Sequence, residues 1–194
     1  MPSMAVRIGT GVIFAALLSS VTACSRGPAS RRDLTKAIVE AMGERPAIGC
    51  SAPFFEDVPC SDSGWGWIER IRTDGITKGC NPNRHLFCPN DPVSRATVAM
   101  FAARALAKGD DGVPEAYGPE ATTGRRYSCD PASLNVSFRD VSAGDIFCRH
   151  VHYLWARGVT TGFSDGSYRP TVLATRSNVD DLVSQVVRAR ASSR

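Results

Sequence analysis

The sequence predicts an all-α fold of repeated helix-loop-helix units, stapled by disulfides. Three observations carry this. One short helix is written three times, each copy opened by a hydroxyl residue and an arginine: Ser30-Arg31, Ser94-Arg95 and Thr175-Arg176. Behind each pair, apolar residues keep one schedule of i, i+3, i+4, i+7, i+8: Leu34, Ala37, Ile38, Ala41, Met42; Val98, Phe101, Ala102, Ala105, Leu106; Val179, Leu182, Val183, Val186, Val187. That is the apolar stripe of an amphipathic helix, with the Ser or Thr placed to cap it. The residues ahead of the last two copies also repeat in order, so the repeated unit is longer than its helix.

The elements follow from the N-terminus. Residues 1–23 read as a lipoprotein signal peptide: Arg7, an apolar run over 12–18, then small residues up to Ala23. That run is short for a bilayer span. Cys24 is the lipidation candidate, by thioether and acyl chains such as palmitate. Ordinary cleavage near Ala23 is the alternative. Cysteine parity favours lipidation: of seven cysteines, removing Cys24 leaves Cys50, Cys60, Cys80, Cys88, Cys129 and Cys148. Six in an oxidising compartment suggest three disulfides. Residues 24–49 hold the anchor, a Gly/Pro/Ser tether and a first helix over about 31–43, which Pro46 and Gly49 end.

Residues 50–108 form one unit. Phe55-Glu56-Asp57-Val58 leads in, a helix spans 65–73 with Trp65, Ile68 and Ile71 in register, and Gly75-Ile76-Thr77-Lys78-Gly79 stops it. A loop then reaches the second repeated helix. Residues 109–128, rich in Gly and Pro and without periodicity, read as a linker. Residues 129–194 repeat the unit. Phe138-Arg139-Asp140-Val141 matches the lead-in; Phe147, Val151, Leu154 and Trp155 form the helical stripe. Gly158-Val159-Thr160-Thr161-Gly162 matches the Gly-bounded turn at an offset of 83, and Tyr168-Arg169-Pro170 falls on Phe87-Cys88-Pro89.

These motifs resemble the S-layer homology module: Phe-x-Asp-Val, a first helix, Gly-Ile-x-x-Gly, a loop ending aromatic-x-Pro, then Thr-Arg-Ala-Glu opening a second helix. Two units carry it nearly complete, and residues 30–43 look like the second helix of a truncated third. The resemblance implies a non-catalytic anchoring module, packed as a pseudo-threefold helical prism that binds wall polysaccharide in grooves between modules. It places Arg31, Arg95, Arg176, Gly79 and Gly162 at those grooves as candidate glycan-binding residues. Two departures stand out. The acid of Thr-Arg-Ala-Glu is Thr97 in one unit and Asn178 in the other, retained only as Asp33, and the first module lacks its leading helix.

Guanidinium groups bind carboxylates bidentately, which suits an acidic glycan. The alternative for the three arginines is that they bond neighbouring carbonyls, or Asp57 and Asp140, and orient the modules. Those two aspartates, one per repeat, are expected to cap turns through their side chains rather than to catalyse. Trp65, Trp67 and Trp155 either stack on sugars or fill a small core. His150 and His152, two apart on a helix, face different ways, and His85 lies alone in a loop. No metal, cofactor or enzymatic constellation is expected, and Asn135-Val136-Ser137 is a weak sequon.

Cys80 and Cys88 bracket a loop that shortens in the second unit as both vanish. Cys50 and Cys60 flank one lead-in, and Cys129 and Cys148 flank the other. Local pairs Cys50–Cys60, Cys80–Cys88 and Cys129–Cys148 are therefore expected. The net charge is +4, or +3 without Arg7, with basic residues scattered, so nucleic acid is excluded as a partner. The functional expectation is an exported, lipid-anchored module attaching to cell-wall or surface-layer polysaccharide. The alternative is a protein-interaction subunit of an envelope complex. Localisation is expected in the cell envelope, at the outer membrane if the host is diderm.

Overall fold

The structure, a computed structural model, describes residues 27–133 and 136–192. The signal-type segment, Cys24 and Asn135 of the sequon lie outside the described residues. The described residues hold five α-helices, one short 3-10 helix (Pro82–Arg84) and one two-stranded sheet: α1 (Arg31–Ala41), α2 (Trp65–Thr73), α3 (Arg95–Ala107), β1 (Ala116–Tyr117), β2 (Tyr127–Ser128), α4 (Cys148–Ala156) and α5 (Arg176–Ala191). The chain is mostly helical, as its periodicity requires. Among the described residues no helix is long and apolar enough to cross a membrane.

The three hydroxyl-Arg helices begin alike. Ser30, Ser94 and Thr175 sit in extended backbone, and each side-chain oxygen accepts the N–H three residues on. In α1 and α5 the return bond closes a capping box through Asp33 and Asn178. α1, α3 and α5 pack against one another pairwise. Just ahead of their caps, Ala29, Val93 and Ala174 close a ring of backbone bonds. Ala29 N–H donates to Ala174 O (2.8 Å), Ala174 N–H to Val93 O (2.8 Å), and Val93 N–H to Ala29 O (2.9 Å). All three residues are fully buried.

α2 packs on α1, and α4 packs on α3. Each of these helices therefore covers the repeated helix that precedes it in the chain, not the one that follows. Gly75 and Gly158 end α2 and α4 at φ +70° and +71°. The next two N–H groups fold back onto one carbonyl in each case, Ile71 O and Leu154 O. The consequence is clearest on α3. Besides the expected stripe, Ala96, Ala99 and Ala103 are buried as well, so this helix is enclosed on two faces. Small residues let the covering helix approach closely.

The 109–128 segment, read from composition as a linker, joins the two units but is packed. β1 and β2 pair antiparallel, with Ala116 opposite Ser128 and Tyr117 opposite Tyr127, and both strands contact α4. Val113 and Tyr127 are buried there, and the Tyr127 hydroxyl donates to Pro114 O at 2.7 Å. Aromatic burial, which carries no helical period, ties the segment down. The disulfides are Cys50–Cys60, Cys80–Cys88 and Cys129–Cys148, the local pairs that the repeat suggests.

Candidate functional site

The site is built by loops that seat helices. Asp57 accepts the N–H groups of Phe87 (2.8 Å) and Cys88 (2.6 Å). Asp140 does the same for Tyr168 and Arg169, both at 2.7 Å. Cys88 and Arg169 adopt left-handed backbone at φ +56° and +59°, a conformation held by those carboxylates. Each shaped loop then offers its carbonyls to the preceding repeated helix. Arg31 and Arg32 N–H donate to Asp91 O and Pro89 O, both 2.9 Å; Arg95 and Ala96 N–H donate to Val172 O and Pro170 O, both 2.9 Å. The first-turn N–H groups of α1 and α3 are thus satisfied by another unit's backbone. The Phe-x-Asp-Val aspartates are structural caps, as their recurrence suggests.

The arginine behind each cap reaches into the same loops. Arg31 Nε donates to Phe87 O (2.8 Å), and its guanidinium lies 4.8 Å from the Phe87 ring centre and 5.3 Å from that of Phe101. Burial lowers its affinity for the proton, against the fields of Asp91 and Asp57. Arg95 Nε donates to Tyr168 O (2.9 Å), with its guanidinium 4.8 Å from both the Phe163 and Tyr168 rings. Burial pushes the Tyr168 phenol up to about 12. Arg176 differs. It is exposed and pairs with Asp33 at 2.9 Å across to α1. Burial would raise the Asp33 carboxyl, but bonds from Ser30 and the Arg176 charge outweigh it and hold it below its ordinary range.

Between α3, α5 and the turn at 158–162 lies an open cavity of about 250 Å³. Arg95 and Gly162 line it, together with Thr160, Thr161 and Phe163 from the turn and Asn178, Asp181 and Gln185 from α5. Of the candidate glycan-binding residues, this cavity brings together Arg95 and Gly162. Arg31 lies against Phe87 and against Phe101 of α3, Arg176 lines a separate groove with Asp33 and Lys36, and Gly79 occupies the equivalent turn of the first unit. Gly79 and Gly162 have φ of +92° and +70°, and a Cβ on either would strike the neighbouring phenylalanine, Phe55 or Phe138, and the Leu86 or Ser167 carbonyl. Phe163, Asp181 and Gln185 carry no motif signal. The helical wheel reads Asp181 and Gln185 as solvent positions.

The remaining chemistry is structural. Asp110 accepts Arg104 Nε (2.6 Å) and His150 Nε2 (2.9 Å) on one oxygen and Arg149 (3.0 Å) on the other. Burial would raise its carboxyl, but the bonds from His150 and Arg104 and the nearby charges hold it far below its usual range. His150 is pushed down to about 4, chiefly by burial, with the Asp110 bond opposing. Cys129, Cys148 and His152 lie close enough together to suggest a metal cluster. The sulfurs, however, are bonded to each other. His152 Nε2 accepts Ser137 N–H (2.9 Å), so Nδ1 carries the proton and faces Cys148 O at 2.9 Å. Trp65, Trp67 and Trp155 are half-buried against the core.

In comparison with known proteins, no curated protein matches the chain. Residues 137–177 match the S-layer homology domain. This stretch holds Asp140, the Gly-bounded turn, Phe163, Tyr168 and the Thr175 cap. An S-layer homology domain is a non-catalytic binding domain that attaches proteins to cell-wall polymers, and it marks a protein of the cell envelope or surface.

Proposed function

We propose that the protein is an exported, lipid-anchored module that holds an anionic cell-wall or surface-layer polysaccharide in the α3/α5 groove. The observation that carries this is the cavity itself. Arg95 lines it with no carboxylate paired to it among the described residues, and hydroxyl and amide groups surround it. In this reading Cys24 bears the lipid, the envelope location is the outer membrane in a diderm host, and the chain comprises two full modules and one truncated one. Support for three related modules comes from the Ala29–Val93–Ala174 ring and from the two identical loop seats. Both fit a pseudo-threefold prism.

Co-sedimentation of the full chain with purified wall polymer tests it. Wild type is expected in the pellet. Arg95→Ala and Thr161→Ala are each expected to weaken retention, the arginine by about tenfold or more, since a charge-assisted bond is worth roughly 1.5–3 kcal/mol. Melting curves identify unfolded variants. Wild-type retention by folded variants of both residues removes the groove from the mechanism. The second reading, a protein-binding subunit on the same fold, is favoured by Arg31 and Arg176, which are turned to groups of the chain itself, Arg31 Nε to Phe87 O and Arg176 to Asp33. Retention that survives those groove variants, with a protein partner captured instead, would promote it.

A further inference from the structure

The groove carries two opposite charges on facing elements, Arg95 from α3 and Asp181 from α5. They make no ion pair with each other, and among the described residues neither is in an ion pair with any other group. From this we infer that the groove selects a zwitterionic amino sugar, one whose ring bears both a carboxylate and a free, protonated amine. The inference rests on the polymer-binding reading and narrows it: the polymer keeps its carboxylates, and the unit seated in this groove carries a free amine beside its own.

Four features point the same way. Asp181 is not imposed by the repeat, because the aligned positions of α1 and α3 are Lys36 and Met100. A purely anionic unit brought to Arg95 meets an uncompensated carboxylate on the opposite wall, and a purely cationic unit meets the guanidinium. A ligand with both charges answers each wall with charge-assisted bonds. The neutral groups suit sugar hydroxyls. Asn178 Oδ1 is used by Thr175 N–H at 3.1 Å, so its amide N–H₂ remains to donate into the groove. Thr160, Thr161 and Gln185 offer further partners. Finally, about 250 Å³ falls just under the range of drug-sized pockets, which fits a single ring rather than an extended run.

Calorimetric titration of the full chain tests this with three sugars, at about pH 6, below the usual α-amino range. Muramic acid carries the carboxylate and the free amine. N-acetylmuramic acid keeps the carboxylate with the amine blocked, and glucosamine keeps the amine alone. Muramic acid is expected to bind about tenfold tighter than either. Asp181→Asn changes an exposed helix position, so it should leave melting unchanged and bring muramic acid down to the affinity of its N-acetyl form. Equal affinity of the wild type for muramic and N-acetylmuramic acid overturns the inference, as does a preference that survives Asp181→Asn. Polymer co-sedimentation separates the failures. If polymer is still retained, only the amine assignment falls; if polymer and all three sugars are ignored, the groove reading falls with it.

Discussion

Asp57 and Asp140 each spend a carboxylate on two backbone N–H groups of a loop whose carbonyls then receive the arginine of the preceding repeated helix. One side chain so shapes the seat of a whole helix. This was legible in the sequence, because an acid recurring once per repeat just before a helix reads as a cap. The role of His150 was not, since its partner Asp110 lies 40 residues away in a segment without periodicity. His150 is 1% exposed and takes up its proton only below about pH 4 in the fold. Free in the unfolded chain it titrates near 6.5. Between those values the unfolded state binds more protons, so stability is complete above about 6.5 and falls as pH drops toward 4. The loss should be on the order of 2–3 kcal/mol across that window. Urea denaturation of wild type and His150→Gln at several pH values checks it, with the variant expected to show a flatter slope there. An unchanged slope would rule out His150 as the titrating group.

Among elements, the repeated helices were readable from their stripes, and the boundaries of α2 came out as the periodicity placed them. What packs on which helix was not readable, because periodicity marks a buried face without naming its partner. α4 covers α3, and Ala96, Ala99 and Ala103 are buried accordingly; among the described elements α5 packs on α1 and α3 alone. The aligned α5 residues Ser177, Asp180 and Ser184 are exposed and polar. Among the described residues no helix covers α5, and α5 is polar on the face its siblings bury. Ala103→Leu should overpack the α3/α4 contact and cost about 1–3 kcal/mol, whereas Ser184→Leu should change stability by less than about 0.5 kcal/mol. Denaturation midpoints of the two variants decide it, and equal losses would mean that α5 has a cover as well. The hairpin escaped the sequence reading for a related reason. Two-residue strands leave no alternation, and Tyr117 and Tyr127 are ordered by α4 rather than by their neighbours in the chain. The groove was half legible: Arg95 and Gly162 belong to motifs, while Asp181, Phe163 and Gln185 join them only after α5 is laid beside α3.

Across the molecule, the two units are held by Asp110. It collects Arg104 from the first unit and Arg149 and His150 from the second, with Lys78 at 3.7 Å. Replacing it by alanine strands two half-buried guanidinium groups, and breaking such a network costs roughly 3 kcal/mol or more. Thermal unfolding of Asp110→Ala is expected to show this. A cost below about 1 kcal/mol would mean that the hairpin packing alone joins the units. The ring of Ala29, Val93 and Ala174 acts on a different axis. Ala29 lies just ahead of the cap of α1, and it is bonded to both other members. Tension arriving along the chain from upstream therefore enters at the hub where three helices meet, not at the rim. Two backbone bonds to two different helices share that load.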